Sequence, residues 1–441
     1  MIMGFPGSTQ RYMTSYEIDR MLTITNPQRI FIRGERQKIL AEDMLASDKV
    51  RIQYASKYAQ SSNYWKNAMG MSRGIERLDV KRKKQEQERA FQQWAEANSV
   101  DGKRYDEALG MIRDAIAASN EAYAAQQYLN EALQRSVEIM TPASYVIAAI
   151  GKKGKKLEDP EALKERLRGF YKDYNPATDR RVARRMFELV MEHVKELPDV
   201  FVAAEGQFDD LDAAVDYLYD NSVFADERKA LAAAAAGTDV SNDPAVLLNK
   251  SYTAKMRELA AAQLAGKRKF ADGQRLYIAG LMRMQPNKAW ASDANFTLRL
   301  TYGRVLPYDP ADGIHYNYYT TLKGVMEKEN PQNPTEFTVP ARLKELYAAK
   351  DFGRYANERG ELPVAFLADC DITGGNSGSP VLNAKGALLG LAFDGNWEAM
   401  SGDVAFEPEL QRTIAVDVRY VLFVIDKFAG AGWLLDELQF E

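Results

Sequence analysis

The chain has 441 residues, of which 46% are hydrophobic and 27% are charged, and its formal net charge is −4. This is an ordinary globular composition on a length that exceeds one average domain, so we expect two domains. The small net charge gives no general reason to expect nucleic acid or an anionic membrane as a partner. No apolar run is long enough to predict a membrane-spanning helix.

The first residues predict a strand that runs into a tight turn. In Phe5-Pro6-Gly7-Ser8-Thr9, proline presets φ and glycine permits a positive φ. A domain seldom begins with such a turn in mid-strand, so we expect the chain to start inside a fold. The N-terminal residues lack the features of a signal peptide, which taken alone argues against secretion.

From about Ser15 to about Asp293 the sequence is helical in character. The stretch from Lys81 to Asn98 consists mostly of good helix formers and predicts a helix whose charged face is solvated. Ala230 to Ala236 is an alanine-rich run closed by Gly237, which suits a helix end. Two sets of apolar residues at helical spacing each predict one buried helix face: Phe208, Leu211, Val215 and Leu218, and Leu109, Ile112 and Ile116.

At about Ala294 the character changes to β-prone segments with frequent proline and glycine. Strands are predicted in three places, namely Phe296 to Tyr302, Pro363 to Leu367 and Ala387 to Phe393. A hairpin connection is predicted at Asn383-Ala384-Lys385-Gly386. This half predicts a β-barrel or sandwich, followed by a helix with Asp417 as its N-cap.

The most specific segment is Thr373-Gly374-Gly375-Asn376-Ser377-Gly378-Ser379-Pro380-Val381. It resembles the nucleophile loop of chymotrypsin-like proteases, although Asn376 and Ser379 replace the usual Asp and Gly. A serine that attacks a carbonyl needs backbone N–H groups aimed at the developing oxyanion, and glycines let such groups converge. We therefore predict Ser377 as the nucleophile and the Gly375 N–H as part of an oxyanion hole. The alternative is a glycine-rich hairpin without a catalytic role.

The flanking segments narrow the resemblance. They are Thr301-Tyr302-Gly303, Thr320 to Glu329, Asp351 to Tyr355, Phe393 to Glu398 and, in the helical half, Ser62 to Asn67. All of them resemble the dipeptidyl-peptidase 7/11 family of S46 serine peptidases, on its dipeptidyl-peptidase 7-like branch. The resemblance covers nearly the whole chain.

The resemblance implies an α+β fold, with a large all-α domain and a chymotrypsin-like antiparallel β-barrel. The barrel would be the second half of a double barrel whose first barrel is mostly missing. Three segments are then expected. Residues 1–14 would be a remnant of the first barrel, residues 15–293 an inserted helical cap domain, and residues 294–441 the C-terminal barrel with the nucleophile and a terminal helix.

The resemblance also implies a function, which is the release of dipeptides from the free N-terminus of peptides. Asn63 and Asp394 are expected to bind the substrate ammonium, although a helix cap and a turn aspartate are the alternatives. Acidic-specific relatives carry an arginine where this chain has Gly395. Because burying an uncompensated carboxylate is costly, we expect an apolar or aromatic second residue, unless Gly395 is only a turn residue. No cofactor and no metal are expected.

The sequence shows no evident catalytic base for Ser377. The two histidines, His193 and His315, lie in a helical stretch and a Pro/Gly-rich stretch, and neither surrounding resembles a catalytic histidine loop. The lone cysteine, Cys370, lacks a basic neighbour and is predicted to be buried packing rather than a rival nucleophile.

The family's histidine and aspartate lie in the first barrel, so we expect this chain to be an N-terminally truncated fragment that is inactive and prone to aggregate when alone. The parent enzyme is expected to be periplasmic and homodimeric, as the resemblance implies. The alternative is a non-catalytic peptide-binding protein that retains the cleft, or a helical scaffold with an incidental loop.

Overall fold

The computed structural model describes residues 1–99, 104–150, 160–334 and 336–440. These residues form two compact units, one helical and one built around an antiparallel sheet, so the predicted α+β class is confirmed. The helical unit comprises Thr14–Ser72 and Lys81–Lys288. The sheet unit comprises Met1–Met13, Arg73–Val80 and Ala289–Glu441.

The helices in the first part of the chain follow one another with short connections. They are α1 (Ser15–Arg20), α2 (Asn26–Ala46), α3 (Asp48–Arg77), α4 (Val80–Asn98), α5 (Ala108–Leu129), α6 (Met140–Ile150), α7 (Pro160–Lys172), α8 (Pro176–His193), α9 (Asp199–Gln207), α10 (Leu211–Asn221), α11 (Glu227–Ala236), α12 (Pro244–Ala262) and α13 (Leu264–Met284). Short π-helical turns lie at Met21–Thr25 and Asn130–Gln134, and short 3-10 helices at Tyr105–Glu107 and Val223–Ala225.

Local sequence explains where several of these helices begin and end. Asn175 caps α8, with its side-chain oxygen accepting from the Ala177 and Thr178 N–H groups, and Pro176 occupies the first helical position. Gly237 ends α11 in the left-handed conformation at φ 63°, as the alanine-rich run followed by glycine predicts. None of the helices among the described residues is long and apolar enough to cross a bilayer.

A large apolar core among the described residues of the helical unit is drawn from α2, α3, α5, α6, α7, α8, α10 and α12. Its most buried members include Ile32, Leu40, Tyr54, Leu129, Leu167, Ala183, Leu189, Val215 and Phe224. The apolar face of α5 predicted at Leu109, Ile112 and Ile116 is buried as expected. Burial of this kind, rather than helix propensity, supplies most of the stability of packed helices.

The sheet unit contains short strands and a few short helices. The strands are β1 (Ile2–Gly4), β2 (Arg299–Thr301), β3 (Tyr308–Ala311), β4 (Ile314–Tyr316), β5 (Tyr319–Thr321), β6 (Pro363–Ala368), β7 (Pro380–Leu382), β8 (Leu388–Gly395) and β9 (Thr413–Asp417). The α-helices are α14 (Leu322–Glu327), α15 (Ala341–Ala348) and α16 (Val418–Phe423). Short 3-10 helices lie at Gly353–Tyr355, Trp397–Ser401 and Gly432–Glu437, and a π-helical turn at Val424–Phe428.

The main sheet has seven strands in the order β2-β1-β7-β8-β9-β6-β5, and every pairing is antiparallel. β2 and β5 are its edges, so the described sheet is not closed into a barrel, while β3 and β4 pair separately. The predicted hairpin is confirmed, because the Asn383 N–H donates to the Ala387 carbonyl between β7 and β8. Asp417 caps α16, as expected.

β1 lies inside this sheet rather than at its margin. Ile2 is fully buried and is opposite Thr301 on one side and Val381 on the other. It packs in a small core with Phe366, Ala392 and other residues of the sheet. A second core, which includes Leu322, Leu343 and Phe423, joins α14, α15 and α16. The strand that begins the chain is therefore part of the same sheet as the strands that flank the predicted nucleophile loop.

Candidate active site

The predicted nucleophile Ser377 lies at the exposed tip of the loop that joins β6 to β7. Asn376 beside it is buried and closes the loop from within. Its N–H donates to the Thr373 carbonyl at 3.1 Å, and its side-chain oxygen accepts from the Thr373 N–H at 3.2 Å. The Ser379 N–H then donates to the Asn376 carbonyl at 2.9 Å. An amide held in this way inside the bend keeps the neighbouring hydroxyl on the outside.

The exposed residues Gly374, Gly375 and Ser377 each have a backbone N–H without an acceptor among the described residues. The Gly7 N–H donates to the Gly374 carbonyl at 2.6 Å. Because the C=O and N–H of one planar trans peptide point in opposite directions, this bond turns the Gly375 N–H away from Gly7. Two exposed, unpaired donors flanking a serine are the arrangement that stabilises an oxyanion in acyl transfer.

Glycine is required at Gly375 by backbone conformation and by space. Its φ is 105°, and a Cβ there would lie 2.4 Å from the Phe5 carbonyl oxygen. Gly378 also has a positive φ, 85°. At Gly374, by contrast, a Cβ would have no neighbour within 4 Å. Of these two adjacent glycines, Gly375 is therefore required by its conformation and its surroundings, whereas a Cβ at position 374 would meet no neighbouring atom within 4 Å.

The departure from the usual loop sequence at Ser379 has a structural counterpart in β1. Ser379 is buried, and a Cβ at Gly4 would lie 2.1 Å from its Oγ. The same Cβ would lie 3.0 Å from the side-chain nitrogen of Asn376. Glycine at position 4 thus makes room for both side chains that replace the usual Asp and Gly. Sequence reasoning missed Gly4, because its neighbours are remote in the chain.

An ion pair holds the N-terminal end of the loop. The Arg11 guanidinium donates to both Asp371 carboxylate oxygens, at 2.5 and 2.7 Å, and to the Gly402 carbonyl at 3.1 Å. Nearby, burial raises the pKa of Asp403, whose carboxyl accepts a hydrogen bond from the Thr373 side chain. Bidentate arginine–carboxylate pairs fix geometry as well as charge. These contacts were not predicted, since nothing in the spacing of Arg11 and Asp371 signals their pairing.

The chain that follows Ser377 lies beside the strand that carries Asp394. The Gly378 N–H donates to the Ala392 carbonyl at 2.7 Å, and the Ala392 N–H donates to the Ser379 carbonyl at 2.9 Å. Between Ala392 and Asp394 the β8–β9 register shifts, which leaves Phe393 as the extra residue of a bulge. Bulges re-aim side chains near functional sites. Asp394 is exposed within β8, and its carboxylate accepts from the Gly395 N–H at 2.8 Å.

Gly395 ends β8 at the entrance to the short helix Trp397–Ser401. A Cβ at this position would meet the Ala399 Cβ at 3.0 Å, the Arg412 carbonyl oxygen at 3.6 Å and the Met400 Cε at 3.7 Å, so its near surroundings contain two apolar atoms and one acceptor. The buried Asn396 fixes this corner by accepting from the Ala399 N–H at 3.1 Å and the Arg412 N–H at 2.9 Å. Gly395 has no positive φ, so nothing in its backbone conformation demands glycine.

Asn63 lies in the helical unit and is described there by itself. It is exposed, and it falls in the interior of α3, so it does not cap that helix. The alternative interpretation of Asn63 as a helix cap is therefore wrong. Its side chain makes no hydrogen bond to the residues that the structure describes, which leaves both the amide oxygen and the amide nitrogen available.

Neither histidine contacts the Ser377 hydroxyl among the described residues. His193 ends α8, where its ring packs edge-on against Phe31 at 5.7 Å between centroids. His315 lies in β4 and is exposed, with Nδ1 2.7 Å from an Asp309 carboxylate oxygen. That pair has the chemistry of a base and its orienting acid, but it sits on the separate β3–β4 hairpin.

Cys370 is buried, and burial raises the pKa of its thiol, which favours the unreactive protonated form. This agrees with the prediction that it packs rather than attacks. Across the described ranges, His, Cys, Asp and Glu side chains form no group of three or more that could hold a metal ion.

Comparison with known proteins gives a consistent result. The chain is 47% identical to dipeptidyl-peptidase 7 of Phocaeicola vulgatus and 43% identical to dipeptidyl-peptidase 7 of Porphyromonas gingivalis. These matches cover 99% and 100% of the chain, which spans 62% of the length of each relative.

A solved structure, Porphyromonas endodontalis DPP11 in complex with the dipeptide Arg-Glu, superposes with a TM-score of 0.89 at 34% identity. That match covers 99% of this chain and 63% of the other. The sequence profile of the Peptidase S46 family matches residues 1–440, so the chain belongs to the Peptidase S46 family.

Proposed function

We propose that this chain carries the nucleophile and oxyanion hole of a serine dipeptidyl-peptidase, which releases dipeptides from the free N-termini of peptides. The observation that carries the proposal is the exposed Ser377 hydroxyl flanked by the unpaired Gly375 and Ser377 N–H groups. The names of the relatives support the same activity class. In this proposal Ser377 Oγ attacks the carbonyl of the second residue, and the two N–H groups stabilise the tetrahedral oxyanion.

The hydroxyl needs a general base, because serine at its ordinary pKa is a weak nucleophile. We assign the histidine and its orienting aspartate to the part of the relatives' length that this chain does not span. The support is that His193 and His315 both have other partners and no described contact with Ser377. Residues 1–441 alone are then expected to release no dipeptide. A longer native protein that also contains the part assigned to the histidine and aspartate is expected to release dipeptides.

In this proposal the Asp394 carboxylate of the sheet unit binds the substrate's ammonium. Asp394 is supported by its position two residues beyond Ala392, which pairs with the chain next to Ser377. A carboxylate is a suitable partner for a cation, and charge-assisted hydrogen bonds are the stronger kind. Asn63, in the helical unit, is proposed separately as a substrate-binding residue, on the basis of its exposed amide and of the resemblance of the Ser62 to Asn67 segment. An ammonium site limits the enzyme to free N-termini.

We propose an apolar or aromatic residue at the second position of the substrate. Gly395 provides no cation for an acidic side chain, and the atoms nearest to a Cβ there are the Ala399 Cβ, the Arg412 carbonyl oxygen and the Met400 Cε, none of which is cationic. A substrate carboxylate buried in such surroundings would lose its hydration without gaining a cationic partner. Solved relatives bind the dipeptides Arg-Glu and Arg-Asp, whose second residues are acidic, so this chain would differ from them.

We also propose that the sheet unit corresponds to the second barrel of a chymotrypsin-like fold. The support is an antiparallel order in which the Ser377 loop joins β6 to β7 and α16 follows the last strand. The family resemblance supports a periplasmic location and a homodimer for the native protein. Cell fractionation and light scattering of the purified protein test these two proposals directly.

The proposed function is tested by Ser377→Ala in the native protein, assayed on dipeptidyl substrates with a fluorogenic leaving group. We expect turnover to fall by about 1,000-fold or more, since the nucleophile is removed. The matched control is Ser379→Ala, which alters a buried serine of the same loop and should keep turnover within about tenfold. Turnover that survives Ser377→Ala contradicts the proposal.

A second candidate function is a non-catalytic peptide-binding protein that retains the cleft. The observation that favours it is the lack of contact between either histidine and Ser377 in the described residues. Saturable binding of free-N-terminal peptides by the native protein, with no dipeptide release and no effect of Ser377→Ala, would support this function over the peptidase.

A further inference from the structure

The helical unit contains a polar cavity that the peptidase proposal does not use. Its volume is about 340 Å³, and it is bounded by α2, α3, the end of α7 and the segment before α6. Four cationic side chains and two carboxylates line it, namely Arg33, Arg36, Lys57, Arg135, Glu138 and Asp173. The excess of positive charge distinguishes this cavity from the acidic net charge of the chain as a whole.

Arg36 is buried at this cavity without adequate partners. Only 7% of the residue is exposed, and its Nε has no hydrogen-bond partner. Its guanidinium makes no hydrogen bond to the described residues, and its ion pair with Glu138 is long, at 3.6 Å. Buried guanidinium groups are ordinarily hydrogen-bonded, because desolvating an unpaired charge is costly. Arg36 therefore retains donor capacity at the cavity that the described residues do not use.

Ser61 provides a second buried donor at the same cavity. It is 3% exposed, and its Oγ has no hydrogen-bond partner among the described residues. A helical serine normally returns its hydroxyl to a carbonyl one turn earlier when nothing else is available. Ser61 lies one turn after Lys57 on α3, so both face the cavity lining. A hydroxyl and a guanidinium that both lack acceptors favour a ligand rich in acceptor oxygens.

The other cations divide into paired and available groups. Arg33 donates to the Glu131 carboxylate at 2.8 Å, and Lys57 donates to Glu138, so these two are largely neutralised. Arg135 is exposed at the cavity and has neither an ion pair nor a side-chain hydrogen bond within the described ranges. Arg36 and Arg135 are thus the donors that a bound anion would engage.

We propose that this cavity binds a small molecule through a carboxylate or phosphate group. Arg36 and Arg135 donate to the oxyanion with the planar fork that suits both groups, and Ser61 donates its hydroxyl. The volume accommodates a metabolite-sized anion rather than a single halide ion. The proposal concerns the helical unit and stands whether or not the chain serves a peptidase.

Isothermal titration calorimetry on the native protein tests the site, with inorganic phosphate and glutarate as the two probes at constant ionic strength. We expect saturable one-to-one binding of at least one probe. Arg135→Ala should weaken it about tenfold or more, and Ser61→Ala about fivefold, because each removes a donor to a charged acceptor. The stronger probe identifies the source as a phosphate or a carboxylate compound.

The matched control is Arg113→Ala, which removes an exposed arginine of the same unit that pairs with Asp114. Its affinity for either probe should equal that of the unaltered chain. Arg36→Gln is the direct variant, and Arg135→Ala and Ser61→Ala keep the test decisive if Arg36→Gln fails to fold. No saturable binding of either probe, or equal losses in Arg113→Ala and Arg135→Ala, overturns the proposal.

Discussion

At the residue scale, the nucleophile loop shows what a motif can and cannot predict. The glycines predicted a tight bend, and Gly375 in that bend has a φ of 105°. The bend is held in place by residues near the start of the chain, namely by the Gly7 N–H, the Phe5 carbonyl and the space that Gly4 leaves. Such contacts depend on residues that are hundreds of positions away, and no spacing rule connects them.

The oxyanion assignment predicts the effect of Gly375→Ala. The new methyl would lie 2.4 Å from the Phe5 carbonyl oxygen at a positive φ, so the peptide must rotate and the N–H must move. We expect kcat of the native protein to fall by about 100-fold or more, with a smaller change in KM, because the lost interaction belongs to the transition state. Steady-state kinetics on a dipeptidyl substrate measures both constants.

Gly374→Ala is the matched control, since a Cβ there meets nothing within 4 Å and the residue has no positive φ. It should keep kcat within about threefold of the unaltered protein, as surface substitutions without strain usually do. Equal losses in both variants would count against the oxyanion role and would indicate general sensitivity of the loop.

The substrate-pocket proposal predicts the effect of Gly395→Arg. A cation at this position would compensate an acidic second residue, so the ratio of kcat/KM for acidic over apolar substrates should rise by about tenfold or more. The Ala399 Cβ lies 3.0 Å from the new Cβ, so the absolute activity should fall. Paired assays on substrates that differ only at the second residue measure the ratio.

Gly395→Gln controls for bulk without charge. It should lose absolute activity for the same steric reason, while the ratio between acidic and apolar substrates stays near that of the unaltered protein. A ratio that Gly395→Arg leaves unchanged would remove Gly395 from the pocket.

At the element scale, the structure agrees best with the predicted helices where local side-chain chemistry determines where a helix begins or ends. The helix former stretch from Lys81 to Asn98 is α4, and the alanine run ends at Gly237 as predicted. The prediction that Phe208 shares one helix face with Leu211, Val215 and Leu218 was wrong for Phe208. Asp210 accepts from the Ala213 N–H and caps α10, so Phe208 lies before the helix. A strong N-cap overrides an apolar period that runs through it.

Asp179 joins two elements through a buried carboxylate. It is 1% exposed and accepts from the Glu138 and Ile139 N–H groups at 2.7 and 2.8 Å, which ties α8 to the segment that leads into α6. Burial, with a smaller contribution from Glu138, raises the pKa of Asp179 to about 7. The folded chain therefore keeps a proton on Asp179 that the unfolded chain releases near its ordinary pKa of 3.8.

This raised pKa predicts a slope of stability against pH. The contribution of Asp179 is fully present below about pH 4 and is lost as the pH rises toward 7, because the unfolded state binds fewer protons in that window. Asp179→Asn cannot titrate, so the slope between pH 5 and 7 should become less negative by up to about 1.4 kcal/mol per pH unit. Urea unfolding of the native protein across this range measures it.

Asp48→Asn serves as the control, since Asp48 is an exposed aspartate of the same unit. Its stability curve should keep the slope of the unaltered chain. A slope that Asp179→Asn shares with the unaltered chain would show that Asp179 is ionised throughout the range and that its hydrogen bonds outweigh its burial.

At the scale of the whole molecule, composition and the change near Ala294 were enough to predict a helical part and a β-rich part. The division of the chain between them was not predictable in detail. Arg73–Val80 groups with the sheet unit, although it spans the end of one helix and the start of the next. Its Gly74 leaves room for Ser401, whose Oγ would lie 2.7 Å from a Cβ there, and Arg77 pairs with Glu398 at 2.7 Å.

The position of β1 inside the sheet, between β2 and β7, has a consequence for how the protein is made. During synthesis Ile2 emerges before Thr301 and Val381, its partners on either side, which follow only after the whole helical unit. Pairing at such sequence separation is slow, and an apolar strand that waits for its partners is exposed to association with other chains. We expect newly made chains to depend on a ribosome-associated chaperone until Leu382 has cleared the exit tunnel.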